Sequence, residues 1–141
     1  MQWLASLWRS RQRNEPVDGR AGASLADRRS RLRRGISGEW IAAALLLTKG
    51  YRILARRLRT PFGEVDIIAV RGRRIAFVEV KRRRTLDEAE AALTPAQGRR
   101  IGDAAEWWIG RFPRYRDHEI GLDAILVVPR RWPSHIPDAL G

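Results

Sequence analysis

The sequence predicts an α/β domain, a mixed β-sheet flanked by helices in the order α-β-β-β-α-β. Three features carry that expectation. An unbroken apolar run from Trp40 to Leu47 marks a helix, and three segments of strand character follow between Tyr51 and Arg82. An apolar stripe at helical spacing then runs from Ile101 to Phe112, ahead of a last apolar strand, Ile120 to Val128.

Taken in order, residues 1–35 read as a basic, flexible N-terminal arm, holding nine Arg against Glu15, Asp18 and Asp27. Such a segment either touches phosphates or is a plain solvated extension. The domain proper is expected over 36–129, and a C-terminal tail over 130–141 carries no pattern. Ser37 can cap a helix running to about Lys49, with Glu39 in its first turn and Gly50 as its stop. Because Trp40 to Leu47 is apolar on all sides, this helix is expected to be sandwiched and not half-exposed. Tyr51 to Arg59 alternates loosely, whereas Gly63 to Val70 and Arg74 to Arg82 are stronger strands. Thr94-Pro95, a cap followed by proline at the first helical position, opens the second helix. Ile101, Ala104, Ala105, Trp108, Ile109 and Phe112 form its buried stripe, from which Trp107 falls away. Pro129 stops the last strand, in which Asp123 lies between apolar neighbours and reads as structural.

Composition narrows the chemistry. A chain of 141 residues suffices for one domain with a modest core. Its 28 Lys+Arg against 16 Asp+Glu give a net charge of +12, so polyanions are the expected partners. Nucleic acid comes first and an acidic membrane surface second. The absence of cysteine excludes disulfides, thiolate zinc sites and a Cys nucleophile. His118 and His135 are the only imidazoles, too few for a His-rich metal site or most His-assisted triads. A metal here should therefore be oxygen-ligated, such as Mg²⁺ or Mn²⁺. The apolar run Trp40 to Leu47 falls far short of the roughly 20 residues that span a bilayer. No signal-peptide core is evident, so no membrane insertion and a cytoplasmic location are expected.

The hairpin between the second and third strands places its charges by register. A two-residue loop at Gly72-Arg73 makes Arg71 face Arg74, so that Asp66 faces Glu79 and Glu64 faces Lys81. A four-residue loop gives the same pairing; a three-residue loop breaks it. Residues 64 and 66, like 79 and 81, are two apart and share one face. Opposed side chains have Cβ atoms about 4.5–5.5 Å apart, close enough for two carboxylates to chelate one hard cation. Without a cation or Lys81 the pair would repel. The alternative is a solvent-facing side of the sheet on which Lys81 bridges Glu64 and Glu79. The choice of lysine favours chemistry: only Lys49 and Lys81 are lysine in a chain that otherwise writes Arg. Lysine is a compact point charge suited to orienting or activating water near a phosphate.

Glu39, Gly63-Glu64-Val65-Asp66-Ile67-Ile68 and Phe77-Val78-Glu79-Val80-Lys81 together resemble the YraN family of bacterial proteins. That family is similar to Holliday-junction resolvases and other PD-(D/E)xK nucleases. The resemblance covers about Ile36 to Val128 and takes in Lys49-Gly50-Tyr51 and Ile53-Leu54-Ala55-Arg56. It departs at Arg57-Leu58, at Ala96 and at Gly121-Leu122, where the family commonly carries other residues. The resemblance implies a restriction-endonuclease-like core. It also implies that Asp66 and Glu79 are metal ligands, with the Val80 carbonyl as a third. Lys81 would stabilise phosphate charge or help activate water, and Glu39 would complete the metal shell from the first helix. Glu64 would sit behind the ligands, holding Lys81. Gln97, four residues before Ile101 on the continuation of the buried stripe, would orient phosphate or water.

Together these residues lead to a Mg²⁺- or Mn²⁺-dependent nuclease cleaving phosphodiester bonds in DNA, including branched or structured DNA. Arg56, Arg57, Arg59, Arg82, Arg83 and Arg84 would grip backbone phosphates, DNA being favoured over RNA. The alternative is an accessory module that binds nucleic acid without cutting it, a role for which opposed carboxylates are superfluous. A third class, binding of acidic membrane or RNA through the arm, rests on charge alone. A homodimer stays open, because junction cleavage requires two coordinated sites.

Overall fold

A computed structural model describes residues 38–141; the arm expected over 1–35 and the Ser37 cap lie outside them. The first described helix, α1, covers 38–48 and ends where glycine permits it to. Gly50 takes φ +86°, the Tyr51 N–H donates to the Leu46 carbonyl at 2.9 Å, and the Gly50 N–H donates to Leu47 at 3.1 Å. This is the paired bonding of a Schellman ending, open to glycine because it has no Cβ to clash at positive φ.

Strands β1 (Arg52–Thr60), β2 (Gly63–Arg71) and β3 (Arg74–Arg82) follow as an antiparallel meander. The β2–β3 turn is the two-residue loop Gly72-Arg73, with φ +58° at Gly72, its first position, as a II′ turn requires. Arg71 consequently faces Arg74 and Ile67 faces Val78, the register expected from the sequence. Beyond β3 the chain passes through α2 (Leu86–Ala91), α3 (Pro95–Arg111) and a 3₁₀ turn (Pro113–Tyr115). It then enters β4 (Glu119–Val127), which pairs with β3 in parallel, and β5 (Ser134–Ile136), antiparallel to β4. The result is a five-stranded mixed sheet in the order β1-β2-β3-β4-β5 with helices packed on it, consistent with a restriction-endonuclease-like core. No helix among the described residues is long and apolar enough to cross a membrane.

Strand alternation sorts the core into two layers. Ile67, Ala69, Ala76, Val78, Ile125 and Val127 cluster with Ala42, Ala43 and Leu46 of α1. On the opposite face Phe77 meets Trp108 of α3 edge to face, ring centroids 5.8 Å apart, and Ala124, Leu126 and Val128 pack on Ala89 of α2. Thr94 caps α3 through the Gln97 N–H, and Ile101, Ala104, Ala105 and Trp108 are buried as the stripe requires.

Three features differ from the sequence expectation. Among the described residues helix α1 is not sandwiched: Trp40 and Leu47 are 55% and 59% exposed, because the sheet covers one side of α1 and no other described element covers the second. The Arg56 guanidinium lies over the Trp40 ring at 4.2 Å. Helix α2 and strand β5 were not foreseen. The signal for α2 is Thr85-x-x-Glu88, whose threonine accepts from the Glu88 N–H. Strand β5 is three residues held between Pro133 and Pro137, too short for a visible period.

Candidate metal centre

Four carboxylates, those of Glu39, Glu64, Asp66 and Glu79, lie near the open end of the β2–β3 hairpin. The backbone ladder runs from Arg71–Arg74 to Ile67–Val78. At the next step a side chain takes over: Asp66 Oδ2 accepts from the Val80 N–H at 2.7 Å. Asp66 thus satisfies a strand N–H and is fixed by it. Carboxylate oxygens of Glu39, Glu64 and Asp66, one each, lie within 4.8 Å of one another. Glu39 reaches the group from α1, and Glu64 from the start of β2.

This group could bind a metal ion. Its donors are all carboxylate oxygens, the set preferred by hard divalent cations. Burial pushes the Asp66 carboxyl up to about 7, and the negative charge of Glu79 adds to the rise. The Val80 N–H opposes it, whereas Glu39 and Glu64 reinforce it. An acid half-buried among acids is costly to ionise until a positive charge enters, and the residues present fit a divalent cation on that ground.

The other expected residues assemble beside the group. Glu79, from β3, stands outside the three-carboxylate cluster, with Oε1 3.2 Å from Lys81 Nζ and Oε2 3.3 Å from Arg100 Nη2. Gln97 bridges the first turn of α3 to the sheet. In the amide orientation that satisfies both neighbours, its oxygen accepts from Lys81 Nζ at 2.5 Å and its nitrogen donates to the Ala92 carbonyl at 2.8 Å. Lys81 is therefore held between Glu79 and Gln97. Of the ligands implied by resemblance, Glu39 and Asp66 come together, while Glu79 is turned to the two cations and Glu64 takes a place in the cluster.

Arg100 is the residue that sequence reasoning missed. It lies three positions after Gln97 on the same helix face and also donates to the Glu64 carbonyl at 2.8 Å. Gly63, at φ +117°, makes room for it: a Cβ there would lie 2.7 Å from Arg100 Nη1. In a chain with 28 basic residues, nothing marks this one before the helix is docked.

The arginines expected to grip phosphate occupy different settings. Arg57 Nε donates to Glu39 Oε1 at 2.6 Å, and this bond, with the nearby carboxylates, outweighs burial and holds the guanidinium more firmly charged. Arg56 covers Trp40, and Arg59 is exposed on β1. Arg82, Arg83 and Arg84 are exposed where β3 ends, and the Arg83 N–H donates to the Val127 carbonyl at 3.1 Å. Half-buried Trp107 has the Arg111 guanidinium over its ring at 4.2 Å.

A second polar group serves the fold. Asp123 is fully buried, accepting two 2.8 Å bonds from Arg74, one of 2.9 Å from the Asp138 N–H and one of 2.8 Å from His135. Lys49 can only donate, so its 2.5 Å contact assigns an acceptor role to His135 Nδ1 and leaves Nε2 to donate to Asp123. Burial alone would raise the Asp123 carboxyl, but these bonds outweigh it and hold it well below the usual carboxylate range.

Comparison with known proteins gives a family. The model of "Uncharacterised protein family UPF0102" matches residues 38–127. A curated relative from Rhodopseudomonas palustris strain BisB18, named UPF0102 protein, is 50% identical over 117 residues, covering 83% of this chain and 87% of its own. Another, from Bradyrhizobium diazoefficiens, is 52% identical over 110 residues, covering 78% and 83%. A third, from Parvibaculum lavamentivorans, is 50% identical over 107 residues, covering 76% and 80%.

Proposed function

For a chain that belongs to the uncharacterised protein family UPF0102, the YraN family, we propose a metal-dependent nuclease that hydrolyses phosphodiester bonds in DNA. The observation that supports this most is the convergence of Glu39, Glu64 and Asp66 within 4.8 Å in a strongly basic protein. A pure binder of polyanions gains nothing from three carboxylates facing its ligand.

In this reading Glu39, Glu64 and Asp66 hold Mg²⁺ or Mn²⁺, and Glu79 is the fourth carboxylate available to it. The ion, when bound, polarises a phosphoryl oxygen and lowers the pKa of a water. The chain's own residues do the rest. Lys81, fixed by Glu79 and Gln97, presents a compact positive charge to the phosphate as negative charge grows on it. Val80, through its bond to Asp66, fixes that carboxylate before substrate arrives. Arg82, Arg83 and Arg84 hold flanking phosphates by charge and not by base identity, so recognition follows backbone shape.

The test is a panel of linear, single-stranded, flapped and four-way-junction DNA with Mn²⁺ or EDTA, beside an Asp66→Ala/Glu79→Ala double variant. Cutting should require Mn²⁺ and fall in the variant by more than the ~10–100-fold typical of losing a ligand's outer partner. Cutting that persists in EDTA or in the double variant would refute the assignment. Mn²⁺ binding with no cutting of any substrate would refute it as well.

A further inference from the structure

Trp132 is 90% exposed, well beyond any other large hydrophobic side chain among the described residues. It sits in the loop between β4 and β5, in the run Pro129-Arg130-Arg131-Trp132-Pro133. The loop is turned back on itself: the Arg131 N–H donates to the Val128 carbonyl at 3.3 Å, and Arg130 takes φ +64°. Two prolines further limit its freedom, so little entropy remains to be lost when the indole finds a ligand.

Strand register locates this loop relative to the carboxylate group. Lys81 pairs with Leu126 across β3–β4, and Leu126 pairs with Ser134 across β4–β5. The three residues form one row, so at about 4.8 Å per strand Ser134 lies roughly 10 Å from Lys81. Trp132 is two residues beyond that row, at the end of the sheet where Arg82, Arg83 and Arg84 leave β3. Five arginines, counting Arg130 and Arg131, and one bare indole therefore share the end of the sheet next to Lys81.

An indole with both faces in water, beside cations that hold phosphate, matches the chemistry of a nucleobase. Base–aromatic stacking needs a free π-face. Within an uninterrupted duplex each base face is covered by its neighbours, whereas a fork, flap or single strand offers one. We propose that Trp132 is a stacking platform for an unpaired base of a DNA strand whose backbone lies along Arg82–Arg84, so that the preferred substrate contains unpaired bases. The proposal rests on the DNA reading above, and its test is run without metal or cleavage so that the two can fail separately.

The full chain, in EDTA at fixed salt, would be titrated against two labelled DNAs of related sequence, a blunt duplex and a forked duplex with unpaired arms. Fluorescence anisotropy reads the affinity for wild type, Trp132→Ala, Trp132→Phe and Trp40→Ala, the last removing an exposed indole from α1. Trp132→Ala should weaken fork binding by roughly 5- to 100-fold and leave the blunt duplex unchanged. Trp132→Phe should retain most of the fork affinity, and Trp40→Ala all of it. Equal losses on both DNAs, no loss on the fork, or no binding by wild type would overturn the proposal. So would a Trp132→Ala change confined to self-association, which would assign the indole to a protein contact. Trp132-dependent fork binding in a protein that never cuts would uphold the platform and refute the nuclease.

Discussion

Both lysines of the chain serve as buried or half-buried anchors, Lys49 against His135 and Lys81 between Glu79 and Gln97. Their rarity was visible in the sequence, and so was the pairing of Lys81 with Glu79; Gln97 and His135 as their further partners were not. Asp66 carries the clearest electrostatic consequence. Its carboxyl is raised from the unfolded value of 3.8 to about 7, chiefly by burial. Between those values the folded protein keeps a proton that the unfolded chain has released. The stability contributed by this group is therefore complete below pH about 4 and lost as pH rises through 7. In EDTA, thermal unfolding of Asp66→Asn should gain on wild type steadily from pH 5 to pH 8. Mn²⁺ should restore wild type at pH 8 and leave the variant unmoved. Arg100 makes a different prediction. Its guanidinium is the positive charge on Glu79 Oε2 at the rim of the acidic group, so Arg100→Gln should tighten Mn²⁺ binding about five-fold in calorimetry while lowering any cleavage rate. Arg100→Lys, which keeps the charge, should leave Mn²⁺ affinity near wild type.

At the scale of elements, local rules read the chain well wherever a turn or cap decides the outcome. Gly72-Arg73 set the hairpin register, Gly50 ended α1, and Thr94-Pro95 opened α3, each through backbone chemistry contained within a few residues. What escaped depends on contacts distant in sequence. An apolar run cannot say how many layers will cover it, so the face of α1 that no other described element covers was not legible. Nor could the exchange between Glu64 and Glu79 be read, since it depends on where Arg100 of α3 lands. Asp123 was legible as structural but its partners were not. It clasps β3 and β4 to the β5 segment through Arg74, His135 and the Asp138 N–H. Asp123→Asn leaves the largely buried Arg74 guanidinium with only the exposed Asp138 carboxylate, 3.4 Å away, as counter-charge, which should cost about 3 kcal/mol in denaturant unfolding at pH 7. Because the native carboxyl is depressed, that advantage is present above pH about 4 and lost as pH falls through the lower native value. Wild type and variant should therefore converge in acid.

The whole molecule combines this acidic group with a net charge of +12. If Arg56, Arg57, Arg59, Arg82, Arg83 and Arg84 each neutralise one phosphate, duplex affinity should fall roughly 10³-fold between 50 and 200 mM salt. A flat salt response would remove these arginines from the interface. The mixed sheet has a consequence of another kind, in time. The β1–β2–β3 meander joins neighbours through tight turns, whereas the parallel β3–β4 pair must wait for the whole segment carrying α2 and α3. Glu64, Asp66 and Glu79 can therefore meet on the hairpin before α3 delivers Arg100. During that interval their mutual repulsion has only nearby basic side chains to relieve it, and the early meander is held back by its own charge. Stopped-flow refolding should speed up when Mg²⁺ is present from the start, and Asp66→Asn should refold faster than wild type and respond less to the ion. The acids that suit this hairpin to a cation would then also make the cation an aid to its assembly.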